Sequence, residues 1–111
     1  MKLSYEDHGA VAVLTLSGEL MIDQADAFRR ACQDRFAAGV HDIVLDMSHL
    51  TLMDSAGLEL LLWLSEEATE HRGQLRLVNP DATISQILSV TRLDRRFSVH
   101  PSVESAAKSL R

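Results

Sequence analysis

One stretch of the sequence decides the fold: Ile43-Val44-Leu45-Asp46-Met47-Ser48-His49-Leu50-Thr51-Leu52-Met53-Asp54-Ser55-Ala56-Gly57-Leu58. It begins with an apolar run that predicts a buried strand, closed by Asp46. A loop is expected next, followed by a helix from about Ser55 to His71 that ends near Gly73. A buried strand that leads through a loop into a helix is the building unit of α/β folds with parallel sheets.

The N-terminal third of the chain predicts a hairpin followed by a helix. Val11 to Leu16 is mostly apolar and β-branched, which is typical of a buried strand. Leu3 to Glu6 is expected to pair with it across the His8-Gly9 turn. Apolar residues then recur at helical spacing between Asp23, a candidate N-cap, and Gly39, a candidate stop.

The C-terminal half adds further strands and helices. Short strands are expected at Leu75–Val78 and Phe97–Val99. A helix is expected between these two strands, with Asn79 as its N-cap and Pro80 as its first residue. The last helix is expected to begin at about Ser102, because apolar residues after it share one face.

We therefore predict one α/β domain over residues 1–111, with a mostly parallel sheet of four to five strands, an N-terminal antiparallel hairpin and about four helices. In open sheets of this kind, binding sites lie at the carboxyl ends of the strands. Three segments should meet at that edge: Met21–Asp23, Ser48–Ser55 and Asn79–Asp81.

Composition and charge argue against several classes of protein. Sixteen acidic residues outnumber eleven basic ones, the net charge is −5, and the acids are dispersed, which disfavours binding to nucleic acid or to an anionic membrane. Apolar runs such as Leu60–Leu64 are far too short to span a bilayer, and Met1 to Asp7 has no signal-peptide core. We expect a cytoplasmic protein with no membrane insertion, no metal, no cofactor and no catalytic residue, and a buried role for Cys32, the single cysteine.

Ser55 is the candidate regulatory residue. A phosphate at the start of a helix is stabilised by free N–H groups and by the helix dipole, so the helix need not melt. The added charge would make the surface beside Asp54 more acidic and would repel an acidic or apolar partner. Asp54 and Ser55 are also ordinary helix-capping residues, and chemistry alone favours that simpler interpretation.

Trp63 lies in the helix that follows. In a projection of 100° per residue, Trp63 falls among the glutamates, away from a predicted core face at Leu58, Leu61 and Leu62. A tryptophan on an acidic surface is typical of a binding hot spot. The alternative is that it packs against a neighbouring element.

The sequence around Ser55, Met53-Asp54-Ser55-Ala56-Gly57-Leu58, resembles the STAS domain family, and within it the bacterial anti-sigma factor antagonists. The resemblance covers nearly the whole chain. Its other matching segments, in order, are Gly18-Glu19-Leu20, Ile43-Val44-Leu45-Asp46-Met47-Ser48, Leu75-Arg76-Leu77-Val78-Asn79-Pro80 and Pro101-Ser102-Val103-Glu104-Ser105-Ala106.

The resemblance implies a partner switch. An unphosphorylated antagonist binds an anti-sigma factor of the ATP-binding serine kinase type and frees the sigma factor or another client. The kinase phosphorylates the residue after the motif's aspartate, here Ser55, and a PP2C-type phosphatase resets the switch. The partner is expected to contact residues around that serine: Asp23, Met53, Asp54, Ala56, Gly57 and Trp63.

Two positions depart from the family pattern. Met21 stands where an aspartate often follows the Gly-x-Leu turn, with Asp23 two residues later. Arg92 follows Thr91 where the helix usually ends with a glycine. The first departure lies near the predicted phosphorylation site.

Other functional classes fit the sequence less well. A receiver domain needs an acidic pair after its first strand, which is missing after Leu16, and a hydrolase would need a Gly-x-Ser-x-Gly elbow around its serine. The remaining alternative is a STAS subunit without a switch, either an accessory subunit of a lipid transporter or a signalling scaffold.

Overall fold

The computed structural model describes residues 1–110, which form a five-stranded sheet with four α-helices. The strands are β1 (Lys2–His8), β2 (Val11–Leu20), β3 (Asp42–Met53), β4 (Leu75–Val78) and β5 (Ser98–His100). The helices are α1 (Ala25–Ala37), α2 (Ser55–Glu70), α3 (Ala82–Val90) and α4 (Val103–Lys108), and a 3-10 turn over Ile22–Gln24 precedes α1.

The strands lie in their chain order across the sheet. β1 and β2 are antiparallel and all later neighbours are parallel, which confirms the predicted α/β fold with an N-terminal hairpin. The main core lies on one face of the sheet, where residues such as Leu14, Phe28, Leu61 and Ile84 come from β2, α1, α2 and α3. A smaller cluster around Val44 on the opposite face packs against α4.

Cys32 is fully buried in the main core, as predicted. Its burial follows from the helical spacing of Phe28, Cys32 and Phe36, which places all three side chains on the inner face of α1.

The third strand is longer than predicted. The sequence analysis placed its end at Asp46 and a loop after it, but β3 continues to Met53. Two register shifts against β2 each place an extra residue in β3, so its inward-facing side chains after the first shift are Met47, Leu50 and Met53. At the first shift, Asp46 Oδ1 accepts hydrogen bonds from the backbone N–H and the hydroxyl of Ser48.

Two predicted helix caps are wrong. Asp23 does not cap α1, because it lies within the 3-10 turn and Gln24 occupies the N-cap position. Asn79 does not cap α3 either. Asp81 does so by accepting a hydrogen bond from Ile84 N at 2.9 Å, and Asn79 instead adopts a left-handed conformation with φ of 48°.

The buried face of α2 is also rotated from the predicted one. It consists of Gly57, Leu60, Leu61, Leu64 and Ala68. Leu58 and Leu62, which were predicted to lie on the core face, are half-buried at its border. Across residues 1–110, no helix has the length and apolar character needed to cross a membrane.

Candidate functional site

The carboxylate of Asp54 organises the start of α2. Its Oδ1 accepts a hydrogen bond from Gly57 N at 2.8 Å, as an N-cap does. Its Oδ2 accepts a second bond, from Ile22 N at 3.1 Å. One side chain therefore joins the turn after β2 to the first turn of α2, and the predicted meeting of these two segments is confirmed.

These hydrogen bonds set the charge of the site. They hold the pKa of Asp54 below its ordinary value. The bond from Gly57 N contributes most, desolvation opposes it to a smaller extent, and the bond from Ile22 N lowers the pKa further by less than desolvation raises it. Asp54 is therefore ionised at neutral pH, and its negative charge lies directly beside Ser55 at the helix N-terminus.

Ser55 is the first residue of α2, and its side chain is exposed. The other nearby hydroxyls are engaged within the domain. Ser48 Oγ donates to Asp46 Oδ1 at 2.6 Å, and Thr51 Oγ1 donates to the carbonyl of Gly18 at 3.0 Å. Ala56 carries no hydroxyl, and Thr51 is exposed but its hydroxyl is hydrogen-bonded, so within residues 1–110 Ser55 carries the exposed hydroxyl of this stretch that has no hydrogen-bond partner.

Two of the predicted contact residues lie in the interior. Gly57 is buried, and a Cβ built on it would overlap the carbonyl oxygen of Leu20. Met53 is only 4% exposed. The end of β2 therefore makes the close approach that Gly57 permits. Gly57 and Met53 stabilise the segment around Ser55 from the interior of the domain.

Asp23 is exposed in the 3-10 turn, and the turn is stabilised by another side chain. Gln24 Oε1 accepts a hydrogen bond from Met21 N at 2.9 Å. The link between this turn and the site is the backbone of Ile22, so the residue type at Met21 does not enter the hydrogen bond to Asp54.

The third segment expected at this edge, Asn79–Asp81, meets the second segment at Ser48, as predicted. Asn79 Nδ2 donates to Ser48 Oγ at 3.4 Å, a long hydrogen bond. Asp81 serves α3 as its N-cap. The carboxyl edge of the sheet thus carries two small hydrogen-bonded groups, one around Asp54 and one around Ser48.

Two exposed apolar residues near Ser55 were missed by the sequence analysis. Ile22 is 65% exposed and its backbone bonds to Asp54, while Leu52 is 38% exposed and lies two residues before Asp54. Large apolar side chains that remain in contact with water beside a polar loop are typical of protein-binding surfaces. Both residues could have been predicted from the sequence as surface candidates, because they belong to segments that were expected to lie at the carboxyl edge of the sheet.

Trp63 is half-buried, which lies between the two alternatives of an exposed binding residue and a residue packed against a neighbouring element. It packs against the border of the main core, and the guanidinium of Arg29 on α1 lies 6.0 Å from its ring centroid. No cluster of histidine, cysteine or acidic residues suited to a metal occurs in residues 1–110.

The family model of the STAS domain matches residues 2–106 of this chain. A Thermotoga maritima protein named "Putative anti-sigma factor antagonist" is 28% identical over 102 residues, which cover 91% of this chain and 90% of that protein. The anti-sigma-F factor antagonist RsfB of Mycobacterium tuberculosis is 26% identical over 105 residues, covering 95% of this chain and 85% of RsfB.

A solved structure shares the whole architecture. The crystal structure of a Thermotoga maritima protein of the same description superposes with a TM-score of 0.89 at 25% identity. The superposition covers 97% of this chain and 93% of that one. The sheet order, the hairpin and the helices described above are therefore those of a family with solved members.

Proposed function

The chain belongs to the STAS domain family, and on that premise we propose that it is an anti-sigma factor antagonist that acts by binding, not by catalysis. In this proposal the unphosphorylated form binds an anti-sigma factor of the ATP-binding serine kinase type in the cytoplasm and releases its client. The kinase phosphorylates Ser55 to reverse the binding, and a PP2C-type phosphatase restores the active form. The names of the relatives in Thermotoga and Mycobacterium support the general role.

The observation that carries the proposal is the exposed Ser55 side chain at the first position of α2, directly after the ionised N-cap Asp54. A kinase needs a hydroxyl that it can reach, and Ser48 and Thr51 donate theirs to acceptors within the domain. Ser55 is therefore the serine or threonine of this stretch whose hydroxyl forms no hydrogen bond within residues 1–110.

Phosphorylation at this position would change charge while leaving the fold in place. A phosphoserine carries about −1.5 to −2 charges at neutral pH. At the N-terminus of α2 that charge lies near backbone N–H groups and the positive end of the helix dipole, so the helix tolerates it. Toward a partner, the same charge adds to that of Asp54 and raises the cost of bringing apolar or acidic groups into contact.

The partner surface in this proposal combines that charge with apolar area. Ile22 and Leu52 are exposed, and each is close to Asp54, Ile22 through its backbone hydrogen bond and Leu52 through the chain. Asp23, Ala56 and the solvent-facing side of Trp63 extend the surface, while Met53 and Gly57 hold its shape from the interior.

A pull-down followed by phosphosite mapping tests this function. The unmodified chain is expected to recover an ATP-binding kinase-type protein, and incubation of that pair with ATP is expected to add one phosphate, on Ser55. Recovery of a transporter ATPase would favour the accessory-subunit alternative. Phosphate found on Ser48 or Thr51 would contradict the assigned acceptor.

A further inference from the structure

The two faces of the sheet are covered unequally. Three helices, α1, α2 and α3, pack on the face that carries the main core, whereas within residues 1–110 the opposite face is covered by α4. This helix has only six residues and lies over β3, β4 and β5. The part of the opposite face that β2 forms is therefore left largely open, although β2 lies between two other strands.

The side chains of β2 show the same difference between the two faces. Ala12 and Leu14 point into the main core and are fully buried. Val11 and Val13 alternate with them and are only half-buried, although strands with parallel neighbours are usually covered on both faces. Between these valines and α4 lies an open cleft of about 410 Å³, whose apolar wall consists of Val11, Val13, Val103, Ala107 and Leu110. An apolar wall that remains in contact with water is a candidate binding surface.

Carboxylates surround this apolar cleft. Asp42 and Glu104 line it. Glu6 faces the same side of the sheet as Val13, because the two residues are partners in the register of β1 and β2. The Oδ1 of Asp42 accepts a hydrogen bond from Gln74 N at 2.8 Å, while no hydrogen bond within residues 1–110 uses its Oδ2. One oxygen of this carboxylate therefore remains able to accept a hydrogen bond from a ligand.

Basic groups offset this negative charge only in part. His8 also lines the cleft, and its Nε2 lies 2.9 Å from Oε1 of Glu6. Lys108 Nζ lies 3.2 Å from Oε1 of Glu104, but the two side chains are 64% and 78% exposed, so this pair is weak. Arg76 lies on β4, two strands from β2, and donates to side chains there. The polar border of the cleft therefore carries an excess of negative charge.

We propose that this cleft binds a small apolar amine, that is, an alkyl or aryl group that carries an ammonium. Burial of the apolar group against the valines and Leu110 supplies affinity, and the carboxylates accept hydrogen bonds from the ammonium. A ligand with a carboxylate or phosphate group would meet charge of its own sign. The volume is in the range of small-ligand sites, and the apolar wall is far smaller than a standard protein interface of roughly 20–30 residues a side.

This cleft is separate from Ser55. Val11 and Asp42 are the first residues of β2 and β3, so the cleft lies near the amino ends of these parallel strands. Ser55 follows the carboxyl end of β3, and α2 packs on the other face of the sheet. The proposal therefore does not depend on phosphorylation of Ser55.

The test is a titration of the full chain with butylamine, hexylamine and octylamine at neutral pH, where each is an ammonium, followed by amide chemical shifts. Saturable shifts are expected for residues 11–13, 42 and 103–110. The affinity should rise about threefold for each methylene that the chain gains, because each one buries further apolar area. Affinity that does not rise with chain length, or shifts confined to other residues, would overturn the proposal.

Octanol and octanoate test the role of charge, because they carry the same chain without an ammonium. Octanol is expected to bind about fivefold more weakly than octylamine, and octanoate more weakly still. Equal binding of octylamine and octanol would overturn the proposal. Binding of a basic amphipathic peptide at these residues without binding of octylamine would overturn it in favour of a protein partner.

Ala107→Met tests the position of the ligand, because the longer side chain enters the cleft. Ala37→Met, at an exposed position of α1, is the matched control. Only Ala107→Met is expected to weaken octylamine binding, by about tenfold or more. Unchanged affinity of a folded Ala107→Met protein would show that the ligand binds elsewhere and would overturn the proposal.

Asp42→Asn separates the charge of the site from its shape. The amide keeps an oxygen for the bond from Gln74 N, so the fold is expected to persist. Octylamine should bind about threefold more weakly to this variant while octanol binds as before. Asp34→Asn removes the same charge from an exposed position of α1 and should change neither affinity. An equal loss for octylamine and octanol in Asp42→Asn would overturn the assignment of this carboxylate to the ammonium.

Discussion

Asp54 accepts a hydrogen bond from the backbone N–H of Ile22, 32 positions earlier in the chain, at 3.1 Å. Through its second oxygen it caps α2 at Gly57 N. Asp54 therefore connects the turn after β2 to the start of α2, and Ser55 is the exposed residue that follows it.

Asp54→Ala is expected to lower the urea midpoint of unfolding, because both hydrogen bonds of the carboxylate are lost. Asp23→Ala is the matched control. It removes an exposed aspartate that caps no helix, and its midpoint is expected to equal that of the unchanged protein.

The difference in urea midpoint between the unchanged protein and Asp54→Ala is expected to depend on pH. Because the folded protein lowers the pKa of Asp54 below its ordinary value of 3.8, its contribution to stability is present above that pH and is lost as the pH falls through the lower, folded pKa. The gap in urea midpoint between the unchanged protein and Asp54→Ala is therefore expected to close in acid. A gap that stays constant down to the lowest pH at which both proteins fold would contradict the role of the ionised carboxylate.

Cys32 is expected to be chemically inert in the folded protein. Burial raises the pKa of its thiol from 9.0 to about 12, so the thiolate is scarce at neutral pH and the sulfur is inaccessible. A disulfide reagent at pH 8 should label no thiol in buffer and one thiol in urea. By linkage, the contribution of Cys32 to stability is complete below pH 9 and is lost as the pH rises toward 12. Rapid labelling of the folded chain would contradict this placement.

Gly57→Ala is expected to destabilise the domain by about 1–3 kcal/mol, because the new Cβ overlaps the carbonyl of Leu20. This cost should exceed the gain of about 1 kcal/mol in helix propensity. Gly9→Ala is the control. It meets no atom within 4 Å and suffers only the strain of its φ of 63°, about 1 kcal/mol. Chemical denaturation measures both, and a larger loss for Gly9→Ala would show that the contact with Leu20 is not tight.

Trp63→Ala is expected to weaken partner binding and to leave the domain folded. Since Trp63 is half-buried at the border of the core, the loss of stability should be about 1–2 kcal/mol, less than for a fully buried tryptophan. Trp63→Phe keeps a ring for Arg29 and should preserve most of the stability. Unfolding of Trp63→Ala would assign the residue to the core, and unchanged partner affinity would remove it from the binding surface.

The sequence predicted the alternation of strands and helices along the chain and the approximate helix positions, because continuous apolar strands and helical stripes alternate with little ambiguity. It failed for the second half of β3, where Met47, Leu50 and Met53 are buried at three-residue spacing. Two register shifts against β2 produce that spacing, and strand recognition depends on a period of two. Such shifts depend on the neighbouring strand, which a local pattern does not include.

The candidate site was predicted in part for a similar reason. Asp54 and Ser55 were found because capping is local, whereas the bond from Ile22 N depends on a chain reversal between distant segments. The cap at Asn79 was wrong because Asp81, two residues later, is equally suitable, and the cap at Asp23 was wrong because a 3-10 turn precedes α1, whose N-cap residue makes no side-chain cap bond. The backbone selected Gln24 for α1 and Asp81 for α3.

The central claim is that the charge on Ser55 controls partner binding. The most direct measurement compares the affinity of Ser55→Ala and Ser55→Asp for the kinase-type partner recovered in the pull-down, by calorimetry at fixed salt. The account predicts that Ser55→Ala binds within about twofold of the unchanged protein and that Ser55→Asp binds at least about tenfold more weakly, a difference of roughly 1.4 kcal/mol. Equal affinities of the two variants would contradict an electrostatic switch at Ser55.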